Sequence, residues 1–112
     1  MNTVEMTQQD VTMVRVYLTE AEVHLGSLLK HLREEGKMRG VTVFRGIAGF
    51  GQLGKIHSSS LLDVSLNLPV VIEFFEEPEK AALMIKSLYP MAGTGHIVSW
   101  PVTLAVDAAS IE

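Results

Sequence analysis

Val14, Val16 and Leu18 alternate with Met13, Arg15 and Tyr17, a period of two that predicts a β-strand. Thr19-Glu-Ala-Glu22 then has the spacing of a capping box. The Thr19 hydroxyl can accept from the Glu22 N–H while the Glu22 side chain reaches back. Leu25, Leu28, Leu29 and Leu32 follow at i, i+3, i+4 and i+7, one stripe of a helix that Gly36 is suited to end. A second strand is predicted from about Gly40 to Ala48, and a long polar loop after it. The loop's distal half, Leu62 to Leu68, alternates again and is expected to lie extended. Pro69 leads into a third strand over 70–76. Pro78 suits the first turn of a second helix, with Ala81, Met84, Ile85 and Leu88 as its buried stripe and Tyr89-Pro90 as its end. Ile97 to Trp100 and Val102 to Val106 read as a short strand and its continuation, broken by Pro101.

The predicted order is β-α-β-β-α-β, the split βαβ or ferredoxin-like arrangement. It is an α+β sandwich with an antiparallel sheet and two helices on one face. Those helices cannot cover both sheet faces, yet both faces carry large apolar groups. If Val14, Val16, Leu18, Val70, Ile72 and Phe74 face the helices, Met13, Arg15, Tyr17, Val71, Glu73 and Phe75 lie on the other side. A face of that kind marks an interaction surface, and the expectation is a symmetric homo-oligomer formed sheet to sheet. Arg15, Arg45 and Glu73 are expected to share this second face and pair there. The alternative for Arg45 is that it meets a ligand anion.

Composition narrows the options. A chain of 112 residues, 47% hydrophobic and 20% charged, suits one globular domain. Residues 1–11 are polar, lack a hydrophobic signal region and are expected to form a flexible N-terminus ahead of a single domain over 12–112. A net charge of −4 gives no electrostatic reason to expect nucleic acid as a partner. No apolar run approaches the ~20 residues of a membrane span, so no membrane insertion is expected. The absence of cysteine excludes disulfides, thiolate metal sites and cysteine nucleophiles, and fits a cytoplasmic location.

The candidate chemistry sits in two glycine-bearing turns, Gly49-Phe50-Gly51-Gln52 and Gly93-Thr94-Gly95-His96. Successive backbone N–H groups in such turns form anion-binding nests. Gln52 and Thr94 add neutral hydrogen-bonding groups and Lys55 adds positive charge. The turns can converge in a cleft between neighbouring subunits. The plainer reading is that these are ordinary turn glycines. His24, His31, His57 and His96 are scattered. A metal site needs two of them beside a carboxylate, with His57 and His96 the candidates, and the pattern favours solvent-exposed or capping histidines instead. Ser58, Ser59 and Ser60 beside His57 lack an orienting acid, so no catalytic residues are assigned.

The run Gly40-Val-Thr-Val-Phe-Arg-Gly-Ile-Ala-Gly-Phe-Gly51 is followed by Ile56-His57, Leu61-Leu-Asp-Val-Ser65 and Leu68-Pro-Val-Val-Ile-Glu73. This series closely resembles the family called domain of unknown function 190, over roughly residues 12 to 107. That family looks like a branch of the nitrogen-regulatory P-II-like proteins. The resemblance implies a ferredoxin-like homotrimer with its sheets towards the centre and effectors bound between subunits. Gly49 to Gly51 with Gln52 and Lys55 resembles the start of the mobile T-loop, and Gly93 to Gly95 resembles part of a nucleotide-gripping loop. His96 stands where that loop carries a basic residue. The resemblance further implies a cytoplasmic signalling protein whose effector is a small molecule, an adenine nucleotide among the candidates. Its loop over 52–60 would engage a partner protein of the transporter or channel kind. The alternatives are a divalent-metal-responsive protein of the ion-tolerance type, using His57 or His96, and a small hydrolase acting in the cleft.

Overall fold

The structure, a computed structural model, describes residues 4–19, 25–50, 56–58 and 68–108. β1 spans Met6–Thr19. α1 spans Leu25–Lys30 and continues as a π-helical turn over His31–Glu35, closed by Gly36 N–H donating to the His31 carbonyl at 3.0 Å. β2 is Thr42–Arg45, β3 is Ala48–Phe50 and β4 is Ile56–Ser58. β5 spans Pro69–Glu76, α2 spans Pro78–Ala92 and β6 spans Ile97–Asp107. The main sheet is antiparallel with strand order β2-β5-β1-β6, and β3 pairs with β4 in a separate two-stranded ribbon. This is the predicted α+β sandwich with an added hairpin.

The core forms where the predicted stripes meet. Val14, Val16 and Leu18 of β1 and Val70, Ile72 and Phe74 of β5 pack against Leu28 and Leu32 of the first helix and Ala81, Met84 and Leu88 of α2. Leu25, Val41, Val43 and Ile85 are half-buried around them. Residues 20–24 lie outside the described residues, so the capping partner Glu22 and His24 do too. Thr19 is the last residue of β1.

Four expectations are corrected. Residues 6–11, expected to be flexible, are strand: Met6 to Val11 pair with Asp107 to Val102. Thr7, Gln8, Gln9 and Asp10 carry no strong apolar alternation, and their backbone groups alone make the ladder. Pro90 does not end α2, which runs to Ala92. Pro90 and Lys86 are both exposed, so water can satisfy the carbonyl that proline leaves without a donor. Pro101 does not break β6. It stands opposite Thr12 on an edge strand, where a missing N–H can face outward. Lastly, the polar loop expected after Gly51 is partly a hairpin, with Gly49 opposite His57 and Phe50 opposite Ile56. Residues 51–55 and 59–67, including Gly51, Gln52, Lys55 and the segment from Leu62, lie outside the described residues.

Gly46 ties the base of the hairpin to the sheet. Its N–H donates to the Pro69 carbonyl at 2.7 Å, and a Cβ there would stand 2.6 Å from the Pro69 ring. Gly46→Ala is therefore expected to cost roughly 1–3 kcal/mol, the usual range for overpacking. Urea unfolding will measure it, and a loss below the lower bound would mean that the hairpin base shifts freely.

Candidate functional site

The ladder register sorts the uncovered sheet face into rows. Phe44, Val71 and Tyr17 stand side by side on β2, β5 and β1, and His96 completes the row because Tyr17 N–H donates to its carbonyl at 2.8 Å. Thr42, Glu73, Arg15 and Val98 form the next row, and Phe75, Met13 and Trp100 the one beyond. Tyr17, Phe44, Val98 and Trp100 are 44%, 48%, 44% and 39% exposed, so large apolar groups line this face and the described residues leave them open to water.

Two of the three expected charges meet on this face. Arg15 Nε donates to Glu73 Oε2 at 2.6 Å, and the guanidinium lies 5.8 Å from the Trp100 ring centroid. Hydrogen bonds to the Tyr17 side chain and then to Glu73 raise the Arg15 pKa above its ordinary value, so the group stays charged throughout the accessible pH range. Arg45 does not share this face. It stands level with Val70, on the side where Val41 and Val43 pack towards the core. The period of two fixes this, because β2 gives its odd positions to the helices.

The two glycine turns lie at the same end of the sheet. Gly49 and Phe50 begin the hairpin just after β2, and Gly93 to His96 lead into β6. Within one protomer the first turn follows the β2 edge, with Gly49 against Pro69 of β5, and the second enters the β6 edge, so β1 stands between β5 and that second turn. The second turn follows α2, where Gly93 N–H donates to the Tyr89 carbonyl at 2.8 Å. Gly93 and Gly95 hold φ of 87° and 81°, a region that a Cβ disfavours. Thr94 is exposed. His96 is half-buried, and its Nδ1 is 2.7 Å from the Tyr17 carbonyl.

Of the two metal candidates, the His57 side chain lies outside what the structure describes. The His57 backbone is in β4, and the one hydrogen-bond partner of the His96 ring among the described residues is a carbonyl. Among the described residues no group of three or more His, Asp or Glu side chains is placed to hold a metal ion. On the helical side of the molecule, His31 Nε2 lies 2.5 Å from Ser87 Oγ, beside a shallow cleft of about 290 Å³ lined also by Glu35, Lys80 and Met84. Sequence reasoning missed this pair, because residues 56 positions apart give no local signal. No helix among the described residues is long and apolar enough to cross a membrane.

This sheet order, with both helices on one face, is the ferredoxin-like fold of the P-II-like proteins. Residues 11–104 match the DUF190 family, Uncharacterized ACR, and the chain belongs to that family. A UPF0166 protein of Aquifex aeolicus is 35% identical over 80 residues, covering 68% of this chain and 76% of the relative. Among solved structures, CPII from Thiomonas intermedia K12 superimposes with a TM-score of 0.67. It is 14% identical, with 92% of this chain and 93% of that one covered. It is a nitrogen-regulatory PII-like protein bound to ADP, AMP and bicarbonate. CutA from Synechococcus elongatus, complexed with Bis-Tris, gives a TM-score of 0.63 at 13% identity, with 94% and 91% covered.

Proposed function

We propose that this protein is a P-II-like signalling protein that assembles as a cyclic homotrimer and binds a small effector, an adenine nucleotide first, between subunits. The observation that carries the reading is the placement of the glycine turns at one end of the sheet but on opposite edges. A head-to-tail ring brings the β2 edge of one copy to the β6 edge of the next and joins the two turns, and a heterologous contact that closes gives a ring. Sealing the apolar sheet face in the centre of that ring removes Tyr17, Phe44, Val98 and Trp100 from water. The bound ADP and AMP of CPII support the choice of ligand class. In this reading Gly49, Phe50, Gly51, Gln52 and Lys55 come from one subunit and Gly93, Thr94, Gly95 and His96 from its neighbour. The effector binds beside the loop over 52–60, and that loop engages a partner protein of the transporter or channel kind in the cytoplasm.

Two measurements test it. Sedimentation should find three protomers per particle at micromolar concentration. Calorimetry with ATP, ADP, AMP, cyclic nucleotides and bicarbonate should find at least one ligand, with up to three sites per particle. A monodisperse protomer, or no heat from any of the series, would remove the proposal.

A further inference from the structure

On the helical side, away from the uncovered sheet face, the two helices present an imidazole and a hydroxyl to one another. His31 opens the π-helical turn, Ser87 stands within α2, and His31 Nε2 lies 2.5 Å from Ser87 Oγ. The turn is wound wide: Gly36 N–H donates to the carbonyl of His31, five residues back, and turns of this kind are frequent at functional sites. Ser87 is exposed and His31 half-buried, so the pair is open to a reagent. The cleft beside it, about 290 Å³, is close to the lower limit of about 300 Å³ for small-molecule pockets. Part of its lining is apolar, with Met84 buried and Leu83 68% exposed. Gly36 keeps this lining in place. Its φ of −80° is open to any residue, but a Cβ there would collide with Met84 Cε, so glycine is needed for space.

We propose that Ser87 is a nucleophile activated by His31, and that this cleft is a site of covalent acylation by a small acyl donor, an activated ester or thioester. Nε2 accepts the hydroxyl hydrogen, as a ring with its own hydrogen on Nδ1 can. Ser87 Oγ attacks the acyl carbon and its proton passes to Nε2. The bond to the leaving oxygen or sulfur breaks with its electron pair, and the leaving group takes the proton from the ring. One ester at Ser87 and a neutral imidazole remain. The neighbours choose the donor class. Lys80, the cation of the cleft lining, already donates to the Lys37 carbonyl at 2.9 Å and lies 3.6 Å from the Glu76 carboxylate. Glu35 adds negative charge to the same lining. A phosphoryl group needs its charge neutralised and would meet a carboxylate here, whereas an acyl group brings no charge. The N–H groups of α2 around position 87 are spent within the helix, so they form no oxyanion hole beside Ser87. Hydrolysis of the ester therefore lags behind its formation, and the product is a lasting modification rather than turnover. The site lies apart from the sheet face and the glycine turns, so it does not rest on the effector reading.

The test is acetylation of the full chain by p-nitrophenyl acetate, followed by intact mass and by peptide mapping. Wild type should gain one acetyl group per protomer on the α2 peptide that carries Ser87. Hydroxylamine should release it, because hydroxylamine cleaves esters and leaves intact the amides that Lys80 or Lys86 would form. Ser87→Ala should lose the hydroxylamine-sensitive label. His31→Gln separates activation from support. The glutamine amide reaches the position of Nε2 and can hold the serine hydroxyl, but it takes no proton. This variant should melt close to wild type and acylate about 10²-fold more slowly or worse, the lower end of what a positioned general base contributes. A bond that only ties the two helices together predicts the same rate in His31→Gln as in wild type, and that result overturns the proposal. Wild type that gains no label, gains only hydroxylamine-resistant label, or carries its ester on other residues and not on Ser87 overturns it as well, with no variant required to fold.

Discussion

A Phe44→Asp variant is expected to sediment as a folded protomer and to lose effector binding. Phe44 is 48% exposed on the uncovered face, next to Val71 and one strand from Tyr17. Within a single protomer the change is mild, since the side chain is already half in water and surface substitutions away from special features rarely exceed about 0.5 kcal/mol. In the proposed ring the same position is sealed against a neighbouring copy. An aspartate there loses the remaining burial of the phenyl ring and strands a carboxylate without a partner. Among the described residues, Arg15 and Arg39, the cations seen against this face, are already paired with Glu73 and Glu76. An uncompensated buried charge costs roughly 3–5 kcal/mol, and each subunit contributes one. At about 1.4 kcal/mol per tenfold, each contact weakens by about 10² to 10³ or more, which exceeds what a micromolar assembly can absorb. Circular dichroism should be unchanged while sedimentation shifts to the protomer. A variant that stays assembled would place the subunit contact elsewhere than on this face. An unfolded one would mean that the protomer cannot stand alone, and Phe44→Ser then provides the weaker perturbation.

The architecture is legible in the sequence because its core obeys two simple periods. Val14, Val16 and Leu18 on one strand and Ala81, Met84 and Leu88 on one helix announce their buried sides without any knowledge of their partners. The uncovered face can be read by the same rule, since every strand residue not taken by the core falls on the other side. Sequence patterns mislead where the outcome depends on a neighbour. Proline reads as a breaker at positions 90 and 101, but its cost depends on whether water reaches the Lys86 carbonyl left without a donor in α2 and whether the missing N–H at position 101 faces outward from β6, and both positions tolerate it. Charge groups Arg45 with Arg15 and Glu73, although its parity assigns it with Val43. The β3–β4 ribbon is three residues a side and pairs glycine with histidine, so it carries no alternation to detect. For the site, the two turns are visible as glycine clusters. The bond that shapes one of them joins residues 79 apart, and nothing local in either segment encodes it.

The larger stability effect is expected at Glu76, which is 2% exposed and the buried charged residue of the described core. Its Oε2 accepts the Arg39 backbone N–H at 2.9 Å. The same carboxylate lies 3.5 Å from Arg39 Nε and 3.6 Å from Lys80 Nζ. Lys80 in turn donates to the Lys37 carbonyl at 2.9 Å, and Lys37 holds a φ of 49°, unusual for a residue with a Cβ. One carboxylate thus fastens the connection into β2 to the end of β5 and the first turns of α2. Glu76→Ala leaves the Arg39 N–H without its acceptor and opens space beside the core. It does not strand a buried cation, because the Arg39 and Lys80 side chains are 40% and 36% exposed and can rehydrate. The cost should therefore fall near the lower end for a broken buried ion pair, about 3 kcal/mol. That is on the order of 12 °C or more in melting temperature for a domain of this size. Glu76→Gln keeps an acceptor for Arg39 and should lose less than half as much, while Lys80→Ala and Arg39→Ala each leave the carboxylate one cation. Because assembly adds to apparent stability, the series should be measured in the Phe44→Asp background at one protein concentration. Equal losses for alanine and glutamine at this position would mean that charge, and not the bond to the Arg39 amide, holds the connection in place.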